Sequence, residues 1–407
     1  MWLKGKTIAL GISGGIAAYK SAELVRLLKK AGAEVQVILT RTGSDFITPL
    51  TLQALSGRPV ISDSAHDSIA NGMAHIELAR RCDAILLAPA TANQIAKIAH
   101  GVADDLLSTL CLARTSPLWV APAMNVEMWN NPATQRNVRQ LLADGCQLFG
   151  PASGEQACGE TGPGRMVEPQ DLLESIISAF TVKVLANTHV LITAGPTYEA
   201  IDPVRGITNR SSGKMGYAVA LAAARAGAKV TLISGPTSLA CPWGVERINV
   251  TSAAEMLEAV SPLSTTADLF FGVAAVADWR VTTPAPHKIK KNRHALHDIA
   301  FASNPDILAT VAALAMSHLQ GKPFCIGFAA ETEHLISHAR QKLRDKNIPL
   351  IVGNLAQDTL GSDTAELCII ETSGETPLPK MHKQAAAARL IELIAVRYRQ
   401  FSSQASP

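Results

Sequence analysis

The chain has 407 residues, 47% hydrophobic and 17% charged, which is enough for two domains with full cores and too apolar for disorder. A net charge of +3 and an aromatic content of 4% argue against nucleic-acid or membrane-surface binding, which need a strong basic field or stacking platforms. Seven cysteines, an odd count with no C-x-x-C pair, argue against a disulfide framework or a zinc site and fit a reducing cytoplasm.

The N-terminus, MWLKGKTIALGISGG, lacks the long apolar stretch and small-residue cleavage site of a secretory signal, so it is read as a first strand. No apolar run approaches a membrane span. KTIALGISGG is expected to be a strand entering a glycine turn, IAAYKSAELVRLLKKAGA a helix by its apolar spacing, and EVQVILT the next strand. Further strands are expected at AILLAPA, LWVAPAMN and CQLFGPA. Residues 150–166, GPASGEQACGETGPGRM, place Cys158 among glycines and prolines, a density that predicts a mobile loop. Thiols are usually kept inside as small hydrophobes, so one at a loop tip asks for a function.

The opening plan recurs near residue 188. HVLITAGP reads as a strand, SSGKMGYAVALAAARAGA as a glycine-opened helix and KVTLISGP as a strand. Both helices end in AGA, whose glycine suits a helix C-terminus. LFFGVAAVADW, FCIGFAAE and LIVGN are continuous apolar runs, as in strands buried on both faces. ELCIIETSGETPLPK reads as a hairpin and HKQAAAARLIELIAVRYRQF as a closing helix. The fold class is therefore α/β, with two doubly wound, mostly parallel-sheet domains: 1–187, flavodoxin-like or Rossmann-like, and 188–407, Rossmann-like, joined within 181–188.

Ligands of such sheets bind beyond the carboxyl ends of the strands. GISGG, with Ser13, opens a helix and suits an anion there; the plain alternative is a tight turn. A dinucleotide site would carry G-x-G-x-x-G and an acidic residue ending the second strand. Here those strands end at Thr40 and Ser234, which favours a mononucleotide over NAD in both halves. There is no G-x-x-x-x-G-K-[ST] loop.

Four motifs in the first half, GISGGIAAYK, HIELARRCDAILLAPATAN, PAMNVEMW and ACGETGPGRM, resemble the homo-oligomeric flavin-containing cysteine decarboxylases. The second half carries ITAGPTYEAIDPVRGITNRSSGKMG, AAVADWR, KIKK, NPDIL and GFAAET and resembles phosphopantothenate–cysteine ligase. End to end, the motif order is similar to the bacterial fusion of phosphopantothenoylcysteine decarboxylase with that ligase, two steps of coenzyme A synthesis.

The resemblance implies FMN and an acid role for the Cys158 thiol, on a loop closing over substrate. Flavin oxidation of the carbon bearing sulfur would supply the electron sink that a saturated carboxylate lacks, and the hydride would return after carbon dioxide leaves. His75 would take the substrate thiol proton; read alone, it is an ordinary helix-start histidine. Asn125 would hold the substrate carboxylate; its plain alternative is a cap or turn. Met124 and Met128 read as packing residues. Glu160 stands where an aspartate commonly follows the glycine. The FMN contacts implied are Ser13, Gly14, Thr40, Thr91, Asn93 and Ser108, although Thr91 and Asn93 also suit a helix cap. The flavin is expected at a subunit interface of a homo-oligomer.

For the ligase, the resemblance implies an acyl-nucleotide made from CTP with Mg2+, then displacement by cysteine. Asn209 would hold that intermediate. The nucleotide would be met by Asp278, Lys288, Pro305, Asp306, Ile307, Leu308, Phe328, Lys342 and Lys346; the metal's protein ligands stay open, with Asp278 one candidate. Lys342 and Lys346, four apart, share a helical face; as isolated lysines they would be a solvated face. The basic run 287–294, HKIKKNRH, reads as a lid over the triphosphate. Substrates are small molecules, without nucleic acid or membrane, in the cytoplasm. Two competing readings are a nicotinamide oxidoreductase and a regulatory flavoprotein; the second is disfavoured by the joint presence of His75, Asn125 and Cys158.

Overall fold

Two runs of strand, glycine turn and helix open two separate sheets. The computed structural model describes residues 1–62, 74–290, 299–317, 321–359 and 361–404. The chain divides into compact units Met1–Ile177 and Ser178–Pro407, a few residues ahead of the join expected at 181–188.

The first unit contains β1 (Thr7–Ile12), β2 (Glu34–Leu39), β3 (Ile61–Ser62), β4 (Ala84–Ala90), β5 (Leu118–Pro122) and β6 (Gln147–Leu148). They form one sheet in the order β3-β2-β1-β4-β5-β6, parallel throughout. This is the Rossmann-like order of the two expected. AILLAPA is buried along its whole length as β4, because helices cover both faces of a parallel sheet. On one face Ile85, Leu87 and Val120 pack against Leu107 and Leu110 of the helix Leu106–Ala113. The order reverses between β1 and β4, so the residues after these two strands flank the ligand crevice of such a sheet.

The glycine-rich stretch around Cys158 is ordered as a hairpin, β7 (Ala152–Glu155) against β8 (Thr161–Arg165). The mobile loop expected there is instead two paired strands with Cys158 in the turn between them; Gly162 and Gly164 serve close approach to Val126 and Met124. Gly164 has φ +134°, and a Cβ there would strike the Met124 carbonyl oxygen. Met124 N donates to Gly164 O at 2.9 Å, pinning the hairpin to the segment after β5.

The second unit opens with β9 (His189–Ala194), β10 (Tyr198–Ala200), β11 (Gly206–Thr208), β12 (Lys229–Ser234) and β13 (Val245–Asn249). It continues with β14 (Leu269–Gly272), β15 (Trp279–Val281), β16 (Phe301–Ser303), β17 (Phe324–Glu331), β18 (Leu350–Leu355), β19 (Thr364–Glu371) and β20 (Gly374–His382). The main sheet runs β13-β12-β9-β14-β17-β18-β19-β20. It is parallel up to β18 and closes with the expected antiparallel hairpin β19–β20. The helix Lys214–Arg225 opens after Gly213, whose φ of +73° needs glycine, and the closing helix is Lys383–Gln404.

The run LFFGVAAVADW is a strand only to Gly272. Ala275 N donates to Gly195 O (2.9 Å) and Thr197 N to Ala275 O (3.2 Å), which pulls segment 273–278 off the sheet and across the end of β9. No helix among the described residues is long and apolar enough to cross a membrane.

Candidate active sites

After β1, Ser13 turns back on the end of β4. Its hydroxyl donates to Pro89 O at 2.8 Å and accepts from Thr91 N at 3.1 Å. A Cβ on Gly14 would lie 2.6 Å from the Thr42 side chain, so a glycine is required for this turn to close. Thr40, after β2, accepts from Gly43 N at 3.0 Å and touches Thr42. The helix Ala18–Lys30 begins here with no side-chain cap; Ala18 N, Tyr19 N and Lys20 N already donate to the carbonyls of Gly15, Ile16 and Ala17, so an anion here would be met by the turn that precedes the helix. Thr91 caps the helix Ala92–Ala99 through Gln94 N, and Asn93 is exposed in its first turn. The buried Gln94 Nε2 has no partner among the described residues. An orphaned donor beside a glycine cradle at the switch point fits a polar, phosphate-bearing ligand such as FMN. Ser108 is already engaged: it forms a reciprocal capping box with Asp105 (2.7 and 3.2 Å).

Asn125 and Cys158, 33 positions apart, meet: Asn125 Nδ2 lies 3.4 Å from Cys158 Sγ. Asn125 also caps the short helix Val126–Asn130 through Glu127 N (2.8 Å), so its plain cap role and its position beside the thiol coexist. Its amide donates to Glu160 as well. Gln156, which sequence reasoning passed over, accepts from Val126 N at 3.0 Å and donates to Pro163 O at 3.3 Å. It thereby fastens the hairpin tip to the Asn125 turn. The signal available was its place two residues before Cys158. Lys20, in GISGGIAAYK, is buried and donates to Met166 O (2.9 Å) and Glu168 (2.6 Å), tying the first motif to the end of the last. His75 sits in the helix Ala74–Arg81, half-buried, with Nδ1 unpartnered among the described residues. Met124 packs on the core. Met128 is 49% exposed, so the packing expected of it is not met within the described residues.

In the second unit the departure of segment 273–278 opens a cavity of about 730 Å³ at the β9/β14 switch point. Asn209, Asp278, Pro305, Asp306, Ile307, Leu308, Phe328, Lys342 and Lys346 all line it. Asn209 is held by donation to Ala275 O and by accepting from Ser211 N at 3.0 Å. Lys342, on the helix Leu335–Asp345, pairs with Glu331 at 2.7 Å; Lys346, one turn on, pairs with Asp306 at 2.9 Å. Burial opposes ionisation of Asp306, but Ala309 N and Lys346 outweigh it and hold its carboxyl below the ordinary range. Lys288 is exposed and stands outside this lining. Residues 291–294 of the basic run expected to form a lid lie outside the described residues.

A second set of cations, Arg210, Lys214 and Lys383, lines the same cavity, and of these sequence reasoning missed Lys214 and Lys383. Lys383 is buried, donating to Thr359 O (2.9 Å) and Ser362 O (2.7 Å). Burial, with Lys214 nearby, pushes its ammonium below the usual lysine value. Its position opening an alanine-rich helix hid it as an ordinary surface lysine.

Two family models match the chain: Flavoprotein over residues 2–181, and the DNA/pantothenate metabolism flavoprotein C-terminal domain over residues 185–397. The coenzyme A biosynthesis bifunctional protein CoaBC of Vibrio cholerae is 51% identical over 397 residues, 96% of this chain and 98% of that protein. The protein of the same name from Escherichia coli is 48% identical over 405 residues, 98% of each. The crystal structure of the C-terminal domain of a CoaBC protein is 37% identical, with a TM-score of 0.46, over 54% of this chain and 99% of that one.

Proposed function

The chain belongs to the family of coenzyme A biosynthesis bifunctional proteins CoaBC, and from that membership we propose that it is an enzyme of two successive steps. The second unit joins 4'-phosphopantothenate to cysteine at the expense of CTP. The first decarboxylates the resulting 4'-phosphopantothenoylcysteine to 4'-phosphopantetheine with FMN.

Flavin supplies a two-electron acceptor that takes and returns a hydride, so the net redox change is zero. Ser13, Gly14 and the turn behind them would hold its phosphate, with Thr40, Thr91 and Asn93 around them; Ser108 acts chiefly through its cap. His75 accepts the substrate thiol proton, a role supported by its Nδ1 having no partner among the described residues. Asn125 holds the substrate carboxylate. Cys158 returns a proton after carbon dioxide leaves. The contact between Asn125 and Cys158 carries this half of the reading. Ile16, Tyr19, Phe46 and Leu50 are exposed around the phosphate turn, which supports a homo-oligomer with flavin near the interface.

In the second unit, the phosphopantothenate carboxylate attacks the α-phosphorus of CTP, pyrophosphate leaves, and the cysteine amine displaces CMP from the acyl-cytidylate. Lys342, Lys346 and Lys288 neutralise phosphate charge. Asn209 holds the acyl-nucleotide; Mg2+ would accompany the triphosphate, its protein ligands left open, with Asp278 a candidate. The domains are taken as 1–187 and 188–407, acting in the cytoplasm.

The test is incubation with phosphopantothenate, cysteine, Mg2+ and each nucleoside triphosphate in turn, with product mass as readout. Phosphopantetheine from CTP supports both steps. A mass that stops at phosphopantothenoylcysteine overturns the decarboxylase reading, and no new mass with any triphosphate overturns the ligase reading.

A further inference from the structure

Lys288 follows β15 and is mounted beside a backbone clamp. That clamp is Asp202, in the turn after β10. Its carboxylate is fully buried. It accepts from Val204 N and Arg205 N, both at 2.8 Å, and from Arg205 Nε at 3.0 Å and Nη2 at 2.5 Å. Its remaining bond reaches across 87 positions to Ile289 N at 3.1 Å. Arg205 Nη2 completes the grip by donating to Ile289 O at 2.7 Å. Both polar groups of the Ile289 backbone are therefore taken by one ion pair. A third tie, Ala285 N to Ile201 O at 2.9 Å, holds the same segment four residues earlier. By contrast the Lys288 side chain is exposed.

We propose that Asp202, with Arg205, is a positioning residue for the ligase reaction: it fixes the backbone on which Lys288 is mounted, and so sets where that ammonium meets the substrate phosphates. The proposal rests on the assignment of Lys288 to the phosphate chemistry. The physical argument is one of reach. A lysine stem is long and its head rotates freely, so an exposed lysine neutralises a developing charge efficiently only if its root is fixed. Misplacement of a reacting group by about 1 Å can cost on the order of 10²-fold in rate. A buried carboxylate that spends one of its bonds on a distant backbone N–H, when a water could serve a surface carboxylate, is costly unless that backbone must be held. The Arg205 guanidinium, with the N–H groups around it, holds the carboxyl far below the ordinary range against the opposing effect of burial, so the clamp is fully charged at working pH.

The experiment is a double-mutant cycle on the full chain, with single-turnover formation of acyl-nucleotide from phosphopantothenate, CTP and Mg2+ as the readout. Asp202→Asn is expected to slow this step by roughly 10²-fold, mainly in the limiting single-turnover rate, with the CTP concentration that gives half of that rate little changed. Placed on a Lys288→Gln background, it is expected to cost nothing further, because residues that act through one another are not additive. Hydrogen exchange of the Ile289 amide should accelerate in Asp202→Asn. Arg205→Lys keeps the charge but loses the fork; it serves as the second variant if Asp202→Asn fails to fold, and should show the same non-additivity. Additive losses in the double variant would overturn the proposal, since Asp202 would then act on the fold and not through Lys288. Unchanged Ile289 exchange would overturn it as well. If Lys288→Gln alone left acyl-nucleotide formation intact while Ile289 exchange rose in Asp202→Asn, the clamp would stand as a structural tie and the assignment of Lys288 would be the part that fails.

Discussion

Asn125 Nδ2 and Cys158 Sγ lie 3.4 Å apart, joining the turn after β5 to the tip of a separate hairpin. The amide that would hold the substrate carboxylate thus touches the thiol that would deliver a proton to the product. Proximity of this kind is specific to the last half-reaction, because the carboxylate is gone when the proton is needed. Cys158→Ser should keep FMN bound and still release carbon dioxide, but accumulate an oxidised enethiol product. Mass spectrometry of the product checks it. A normal yield of phosphopantetheine would remove Cys158 from the chemistry.

The hairpin reaches Asn125 because of Gly164. With φ at +134° and the Met124 carbonyl against its α-carbon, this position rejects any side chain. Gly164→Ala should cost about 1–3 kcal/mol in local strain and lower decarboxylation by roughly 10²-fold through displacement of Cys158. Amide formation from phosphopantothenate should be unchanged, since the ligase cavity is lined by residues of the second unit. Equal loss of both activities would mean that the glycine supports folding as a whole.

The sheets were legible because buried parallel strands are continuous apolar runs, and AILLAPA or FCIGFAAE has no other reading at that length. Where the backbone leaves the sheet was not legible. LFFGVAAVADW is apolar throughout, yet only Leu269–Gly272 is strand, because long-range bonds from Gly195 and Thr197 capture Ala275 and no local signal encodes them. The Cys158 hairpin was misread for a related reason. Its glycines were taken for mobility, while Gly162 and Gly164 serve close approach to Val126 and Met124, far away in sequence. Site residues carried by motifs, such as Asn209 and Asp306, were found and line one cavity. Gln156 and Lys383 were not, because their functional setting comes from the turn or helix that they fasten and no pattern of their own marks them.

Thiol chemistry separates exposed from buried cysteines. Cys158 and Cys241 are exposed, Cys368 is half-buried, and Cys82, Cys111, Cys146 and Cys325 are buried. Burial pushes the Cys111 and Cys325 thiols up to about 12, so neither forms appreciable thiolate near neutrality. An aromatic disulfide reagent should therefore titrate two fast thiols in the native chain, and one in Cys158→Ser. Fast reaction of Cys111 or Cys325 would contradict the packing of these cores.

Acid should weaken the second unit through Asp268. Burial opposes its ionisation, but donation from Lys322 (2.8 Å), His189 N (2.8 Å) and the Tyr398 hydroxyl (3.0 Å) outweighs it and holds the carboxyl below its ordinary range. These bonds tie the start of β14 to β9 and to the closing helix. A carboxyl with a depressed folded-state pKa binds more protons when unfolded, so stability rises with pH. The contribution is fully present above the unfolded value of about 4 and is lost as pH falls toward the folded one. Asp268→Asn removes the charge and should cost about 1–3 kcal/mol at neutral pH. The gap between wild type and variant should be constant from pH 6 to 8, about neutral, and shrink below roughly pH 4. Hydrogen exchange of the β9 and β14 amides reads this unit directly. A gap that stays constant down to strongly acid pH would show that the carboxylate charge contributes nothing and that Asp268 acts by shape alone.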